Sequence, residues 1–401
     1  MAFLFRCYGV EATYKMRVLL SNKFYYRRGG DCIYMMELEQ LLKAKGHDVA
    51  VFSMQYPQNF PSIWSRYWPS NMSIFKVLSR PFGDSEVKRK FNALLDDFKP
   101  DVVHLNNIHT HLSPIIAEIA HSRGIRVVWT LHDSKLVCPC YACMRKGNLC
   151  VECFTRKESV IRHRCMRGGL LGSIIGYWEA KKWNKDRIQH SCDLFLTPSR
   201  FISSICINGG YDESKFLVLN NFVDLDKVDV SSFDKKDYYV YLGRLTKEKG
   251  IGTLCEVASR LPYKLVVIGG GDLERGLRDK YADSNIDFLG KKNWHEFCLI
   301  LASARFMVIP SECMENNPLS VIESLALGTP VLGANIGGIP ELIDNGFSGM
   351  TFESGNQVDL RNKIELMWST SFDYVAISSS AQDRYSSDKY MKKIIEVYKN
   401  K

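Results

Sequence analysis

Two glutamates, Glu315 and Glu323, stand eight positions apart in the segment Pro310 to Ile343, PSECMENNPLSVIESLALGTPVLGANIGGIPELI. The first follows an apolar strand-like run, Arg305–Pro310, and falls in the polar turn ENNP. The second falls about one turn inside the helix that the following apolar spacing predicts. Amides at a helix start favour phosphate, and carboxylates accept hydrogen bonds from neutral hydroxyls. Strand, polar loop, helix start and a second strand with a small-residue loop together suit a ligand carrying both groups, as a nucleotide sugar does. Taken singly, Glu315 reads equally well as a helix cap and Glu323 as a solvent-facing residue. The whole pattern argues for a site.

Arg244 and Lys249 follow the strand-like run Tyr238–Leu242 in GRLTKEKG. A planar fork and a point cation can straddle a pyrophosphate and neutralise charge on a leaving group. Gly29 and Gly30 lie between the first predicted strand and a helix, where backbone amides can approach phosphate without a Cβ in the way. Gly269, Gly270 and Gly271 end the run Lys264–Ile268, and Gly290 ends the next one. His132, in TLHD, ends the run Arg126–Leu131, while His104, Asn106, Asn107 and His109 crowd the end of the preceding strand. Each feature alone is ordinary turn or surface chemistry.

In this order the residues resemble the glycogen-synthase-like retaining glycosyltransferases of family four, which have the GT-B fold. The resemblance rests on Glu315-x7-Glu323, the following SLALGTPVLGANIGGIPELI, and Gly243-Arg244-Leu245-x3-Lys249-Gly250, and extends weakly from Met16 to the C-terminal helix. It implies that Arg244 and Lys249 clamp the donor diphosphate and that Glu315 holds donor-sugar hydroxyls. Asn316, Asn317, Pro318 and Leu319 would supply amides, Glu323 would take the ribose, and His132 would reach the sugar across a cleft. By the same resemblance Gly29 and Gly30 close over the donor, Gly269 and Gly270 approach it, and Gly290 marks the nucleobase contact. His104, Asn107 and His109 would line the acceptor side. Two departures stand out. Asp31 replaces the usual Glu, and Pro318 replaces a frequent glycine and lacks an N–H.

The implied reaction is transfer of a sugar from an NDP-sugar (UDP- or GDP-linked) to a saccharide hydroxyl with retention. No DxD metal site is apparent, so the cation pair stands in for a divalent ion and no cofactor is required for catalysis. The alternatives are a sugar-nucleotide epimerase or hydrolase of the same fold, which needs no acceptor, and a non-catalytic sugar-nucleotide-binding protein.

The chain that must position these groups has 401 residues, 46% of them hydrophobic, enough for two domains with separate cores. Strand-like and helical runs alternate in two series, so the expected fold class is α/β, two Rossmann-like doubly wound domains facing a central cleft. Residues 1–15 read as a disordered extension, with Met16 a possible start. Residues 16–222 form an acceptor-side domain carrying a Cys-rich basic insert at about 136–168. Residues 223–237 read as a linker, 238–384 as the nucleotide-sugar domain, and 385–401 as a helix crossing back. No apolar run has bilayer-spanning length, and the start lacks a secretory h-region. The expected location is cytoplasmic, peripheral on the inner membrane face.

The net charge of +9 is uneven: residues 145 to 187 hold eleven Lys/Arg against four Asp/Glu, threaded with Leu170, Leu171, Ile174, Ile175, Tyr177, Trp178 and Trp183. Such a surface suits anionic headgroups and a lipid-linked glycan acceptor, with Trp64, Tyr67, Trp68, Phe75 and Phe82 extending it. That points to envelope, capsular or exopolysaccharide assembly. The competing reading is a helix whose apolar side enters the core. No nucleic-acid module is recognisable. Six of the thirteen cysteines fall between Cys138 and Cys165, and Cys140, Cys143, Cys150 and Cys153 have the paired CxxC spacing of a structural zinc site. Reduced thiols packed in an insertion are the alternative.

Overall fold

A computed structural model describes residues 15–70, 78–166, 169–224 and 234–400. The extension 1–15 lies outside these residues but for Lys15, as do Phe75 and the middle of the stretch read as a linker.

Short apolar runs, flanked by amphipathic helices, can bury both faces only in a parallel sheet. The chain forms two of them. The first holds β1 (Arg17–Ser21), β2 (Asp48–Phe52), β3 (Val102–Leu105), β4 (Arg126–Thr130), β7 (Leu194–Thr197) and β8 (Phe216–Val218), in the order β2-β1-β3-β4-β7-β8. Strands β5 (Met144–Arg145) and β6 (Asn148–Leu149) make a small antiparallel hairpin on the insert. The second sheet holds β9 (Tyr238–Leu242), β10 (Lys264–Ile268), β11 (Ile286–Gly290), β12 (Met307–Ile309), β13 (Val331–Ala334) and β14 (Gly349–Phe352), in the order β11-β10-β9-β12-β13-β14. Each sheet has its own apolar core, one built around Leu19, Leu20 and Trp129, the other around Tyr239, Phe306 and Leu332.

This strand order decides where a ligand can bind. In each sheet the winding direction reverses once, between β1 and β3 in the first and between β9 and β12 in the second. Loops leaving such a switch point part and open a crevice at the strand C-terminal ends. The glycine pair follows β1, Asn106 and Asn107 follow β3, Arg244 and Lys249 follow β9, and Glu315 follows β12.

Helix α1 (Gly30–Ala44) starts beside the glycine pair. Farther along lie α2 (Gly169–Lys182), α3 (Leu319–Ala326), which carries Glu323, and the last helix, α4 (Ser387–Lys399). α4 returns to the first core, where Tyr390, Met391, Ile394, Val397 and Tyr398 are buried. There the Tyr390 hydroxyl meets that of Tyr34, and the Tyr398 hydroxyl lies 2.6 Å from Nδ1 of His104.

Two aromatics expected on the basic surface are interior instead. Trp183 donates its indole N–H to the Pro81 carbonyl (2.6 Å), and Trp68 donates to the Val51 carbonyl (2.8 Å). Both rings are buried, because an indole inside a core keeps its one donor satisfied only by reaching backbone.

Candidate active site

The crevice between the domains is a cleft of about 870 Å³. Its second-domain wall is built from the loops after β9, β10 and β12. Gly269, at φ +141°, lies so close to the loop after β9 that a Cβ would sit 1.8 Å from the Gly243 carbonyl oxygen. The loop holding Glu315 is held just as tightly from beneath. A Cβ on Gly338 would sit 1.8 Å from the Asn316 carbonyl oxygen, and the Gly338 amide donates to the Glu315 carbonyl at 2.8 Å. Small residues in GANIGG therefore let this loop settle onto the one that carries the carboxylate.

Lys249 and Glu315 meet there. The ammonium lies 2.5 Å from Oε1 of Glu315, which also accepts from the Ser311 hydroxyl at 2.7 Å. Their side chains are 23% and 12% exposed, so the pair is shielded yet open to the cleft. Arg244 lines the same cleft, exposed, with a Glu248 oxygen 3.6 Å away. Pro318 caps α3, and the first-turn amides of that helix have no carbonyl within it to bond.

Glu323 lies deep in the cleft and faces the first domain. Burial pushes its carboxyl up to about 8, helped by the neighbouring Glu37. Glu37, on α1, is itself pushed up to about 7 by burial, against the pull of Arg27. Both carboxyls line the cleft.

From the first domain, Gly29, Gly30, Asp31, Asn107 and His132 border the same space. Nε2 of His132 lies 3.0 Å from the Asn106 side-chain oxygen, and burial lowers its pKa to about 4, so the imidazole is neutral at pH 7. Nothing stands within 4 Å of a Cβ built on Gly30.

Arg244, Lys249, Glu315, Glu323, His132, Gly29, Gly30, Gly269, Gly270, Asn107 and residues 316–319 thus share one cleft. Four sets of expected residues are placed differently. His104 is fully buried between Tyr398 and Thr130, with both ring nitrogens engaged and its pKa lowered by burial to about 3, so it joins α4 to the sheet and lines no cleft. His109 packs its ring 5.1 Å from Trp129, off the cleft wall, and burial holds it neutral. Gly290 turns away and gives its carbonyl to the Gly269 amide at 2.9 Å.

The side chains of Asn316 and Asn317 grip the first domain. Asn316 donates to the Leu131 carbonyl and accepts from Ser199, while Asn221 donates its backbone N–H to the Asn317 side-chain oxygen at 2.9 Å and its side-chain NH2 to the Asn317 carbonyl at 2.8 Å.

The expected zinc set, Cys140, Cys143, Cys150 and Cys153, is not gathered either. Cys143 and Cys153 are buried and Cys140 turns to Cys138, sulfur to sulfur 3.4 Å. Among the described residues no group of three or more His, Cys, Asp or Glu side chains is placed to hold a metal.

The sequence reading missed Trp294 and Phe297, Lys291 and Lys292, and Glu37, all on the cleft wall. The aromatic pair, rings edge-on at 4.9 Å, opens the helix after β11. Its position one loop beyond a strand end was the available signal.

Two parallel-sheet domains closing on a shared cleft at their strand C-terminal ends make a GT-B fold. The chain matches the family described as Glycosyl transferases group 1 over residues 223–384 and that described as Glycosyltransferase Family 4 over residues 28–227. It belongs to the GT-B glycosyltransferases of group 1.

It is 23% identical over 352 residues to a 42.6 kDa protein of the cps region of Klebsiella pneumoniae, covering 82% of this chain and 87% of that one. It is 32% identical over 195 residues to the amylovoran biosynthesis glycosyltransferase AmsK of Erwinia amylovora, covering 44% and 48%. Similar solved structures include sucrose-phosphate synthase from Thermosynechococcus elongatus, with TM-score 0.69 and 18% identity over 96% of this chain and 98% of that one. Anabaena HepE in complex with UDP-glucose has TM-score 0.62 and 15% identity over 95% and 99%.

Proposed function

We propose that the protein transfers one sugar from a nucleoside-diphosphate sugar to a hydroxyl of a saccharide acceptor, with retention at the anomeric carbon. The observation that carries this reading is the Lys249–Glu315 pair, set beside Arg244 and the open amides of α3 in one cleft. Lys249 and Arg244 face the donor diphosphate and take up charge as it leaves. Donor binding releases Glu315 from Lys249, freeing its carboxylate for sugar hydroxyls. Glu323 reads the ribose. His132, neutral, meets the sugar from the first domain. The reading assigns no enzyme nucleophile: the departing diphosphate's own oxygen takes the proton from the acceptor hydroxyl as the new glycosidic bond forms on the same face. The Anabaena HepE complex with UDP-glucose and the exopolysaccharide role of AmsK support a nucleotide-sugar donor and polysaccharide assembly.

The acceptor in this reading is lipid-linked, presented at an anionic membrane surface on the cytoplasmic side. Its support is α2: Leu170, Leu171 and Trp178 are 48%, 67% and 52% exposed, and the Lys181 ammonium lies 5.3 Å from the Trp178 ring. Among the described residues no helix is long and apolar enough to cross a membrane.

A thermal-shift screen over UDP-, GDP-, ADP- and dTDP-sugars tests the donor side, since a ligand of the folded state raises the melting temperature by mass action. One sugar nucleotide should stabilise the protein more than the others. A flat response across all four would contradict the reading.

A further inference from the structure

The first-domain side of the cleft holds two cations, Lys23 and Arg28, and an imidazole, His111, which burial lowers to about 4 and keeps neutral, and the donor chemistry uses none of them. Their centre is the Phe24 ring, in the loop after β1. The Arg28 guanidinium lies 4.3 Å from that ring, the Lys23 ammonium 5.4 Å, and the His111 ring 5.9 Å. Tyr56 and Tyr26 complete the surround at 5.1 and 5.5 Å.

Neither Lys23 nor Arg28 has a carboxylate within ion-pair distance among the described residues. Lys23 makes one side-chain hydrogen bond, to the Asn107 side-chain oxygen at 3.1 Å. Burial is the largest influence on its ammonium and lowers its pKa. Nδ1 of His111 is buried without a hydrogen-bond partner. The nearby carboxylates are otherwise engaged: Asp31 accepts from the Asn107 amide at 3.2 Å, and Asp133 accepts from the Lys135 backbone at 2.9 Å.

A half-buried ammonium is costly to desolvate, and the charges of Asp133 and Asp31 offset only part of the burial that lowers the Lys23 pKa. Aromatic faces repay part of it. A dianion arriving between Lys23 and Arg28 would repay the rest, and Arg28 and Asn107 lie on the cleft wall, so such a group has a route in.

We infer that Lys23, Arg28 and His111, grouped around Phe24, form a subsite for an anionic group on the acceptor, opposite the donor wall. The inference rests on the glycosyltransferase reading and narrows it: the acceptor carries a phosphate or carboxylate near the hydroxyl that is glycosylated. The phosphate would be that of a prenyl pyrophosphate, the carboxylate that of an acidic sugar.

The test is calorimetric titration of the full chain in the presence of saturating UDP or GDP, whichever binds. The probes are geranyl diphosphate, glucuronate and, as a neutral control, glucose. At least one anionic probe should bind at least tenfold more tightly than glucose, and Arg28→Gln and His111→Gln should each erase most of that preference while the melting temperature holds. Preference for the diphosphate assigns a lipid pyrophosphate, and preference for glucuronate assigns an acidic sugar. Equal binding of all three probes would overturn the inference, as would a preference that survives both substitutions. So would loss of nucleotide affinity in Arg28→Gln with no anion bound beside the nucleotide, because the cations would then serve the donor. Failure of both nucleotides to bind wild type would instead sink the donor reading, and this subsite with it.

Discussion

The carboxyls facing each other across the cleft give the site a pH signature. Glu323, pushed up to about 8, and Glu37, pushed up to about 7, each hold a proton in the folded state that the unfolded chain would have released. At these two groups folding therefore takes up protons between the ordinary carboxyl range and these values, so the stability they contribute is greatest in acid and is lost as pH rises through 7 and 8. Melting temperatures of wild type and Glu323→Gln at pH 5 and pH 8 measure it. The wild-type protein should lose more stability over that interval than the variant, which has no charge to bury. Equal slopes would show that the pair does not sense its own burial. His132 and His104, lowered by burial to about 4 and about 3, act in the opposite sense: unfolded imidazoles bind protons below about 6.5, so both lower stability as pH falls through that value, equally in wild type and variant, and the comparison cancels them.

Single elements explain which residues the sequence made readable. Arg244 and Lys249 were legible from a strand end followed by a glycine-containing loop, and Glu315 and Glu323 from the strand, polar turn and helix around them. His104 was misread for the same positional reason. It sits on the last turn of β3, but side chains alternate along a strand, and this one points to the face that α4 covers. No pattern in the first half could announce a tyrosine from residue 398.

Two tests belong at this scale. Gly338→Ala places a Cβ against the Asn316 carbonyl and 2.9 Å from the Ser199 Cβ. It should cost about 1–3 kcal/mol as overpacking and weaken nucleotide binding by shifting the Glu315 loop. A variant as stable and as tightly binding as wild type would mean the loop does not depend on that close approach. For α2, sedimentation with phosphatidylglycerol vesicles should pull down wild type, and Leu171→Glu with Trp178→Glu should abolish this without lowering the melting temperature. Recovery only in the supernatant would remove the membrane-facing role.

At the scale of the molecule, two sheets whose strand orders reverse at facing points create a cleft that neither makes alone. Asn316 and Asn317 reach from the second domain to Leu131, Ser199 and Asn221, and Glu341 accepts from the amides of Arg200 and Phe201 at 2.7 and 2.6 Å. α4 runs the other way, from the second domain onto the first core. The alternation of strand and helix made the two-domain plan readable from the chain. These crossing contacts were not readable, because they join residues 96 or more positions apart with no shared period.

The central claim, that Lys249 takes up charge on a departing nucleoside diphosphate while Glu315 holds the sugar it leaves, is tested most directly by the rate of diphosphate release. The stabilising sugar nucleotide would be incubated with wild type, Lys249→Ala and Glu315→Ala, and the freed diphosphate quantified by chromatography. Losing one leaving-group stabiliser costs on the order of 3 kcal/mol of transition-state energy, so release should fall about a hundredfold in Lys249→Ala, and Glu315→Ala should slow it through loss of the sugar contact. Release at the wild-type rate from both would contradict the account.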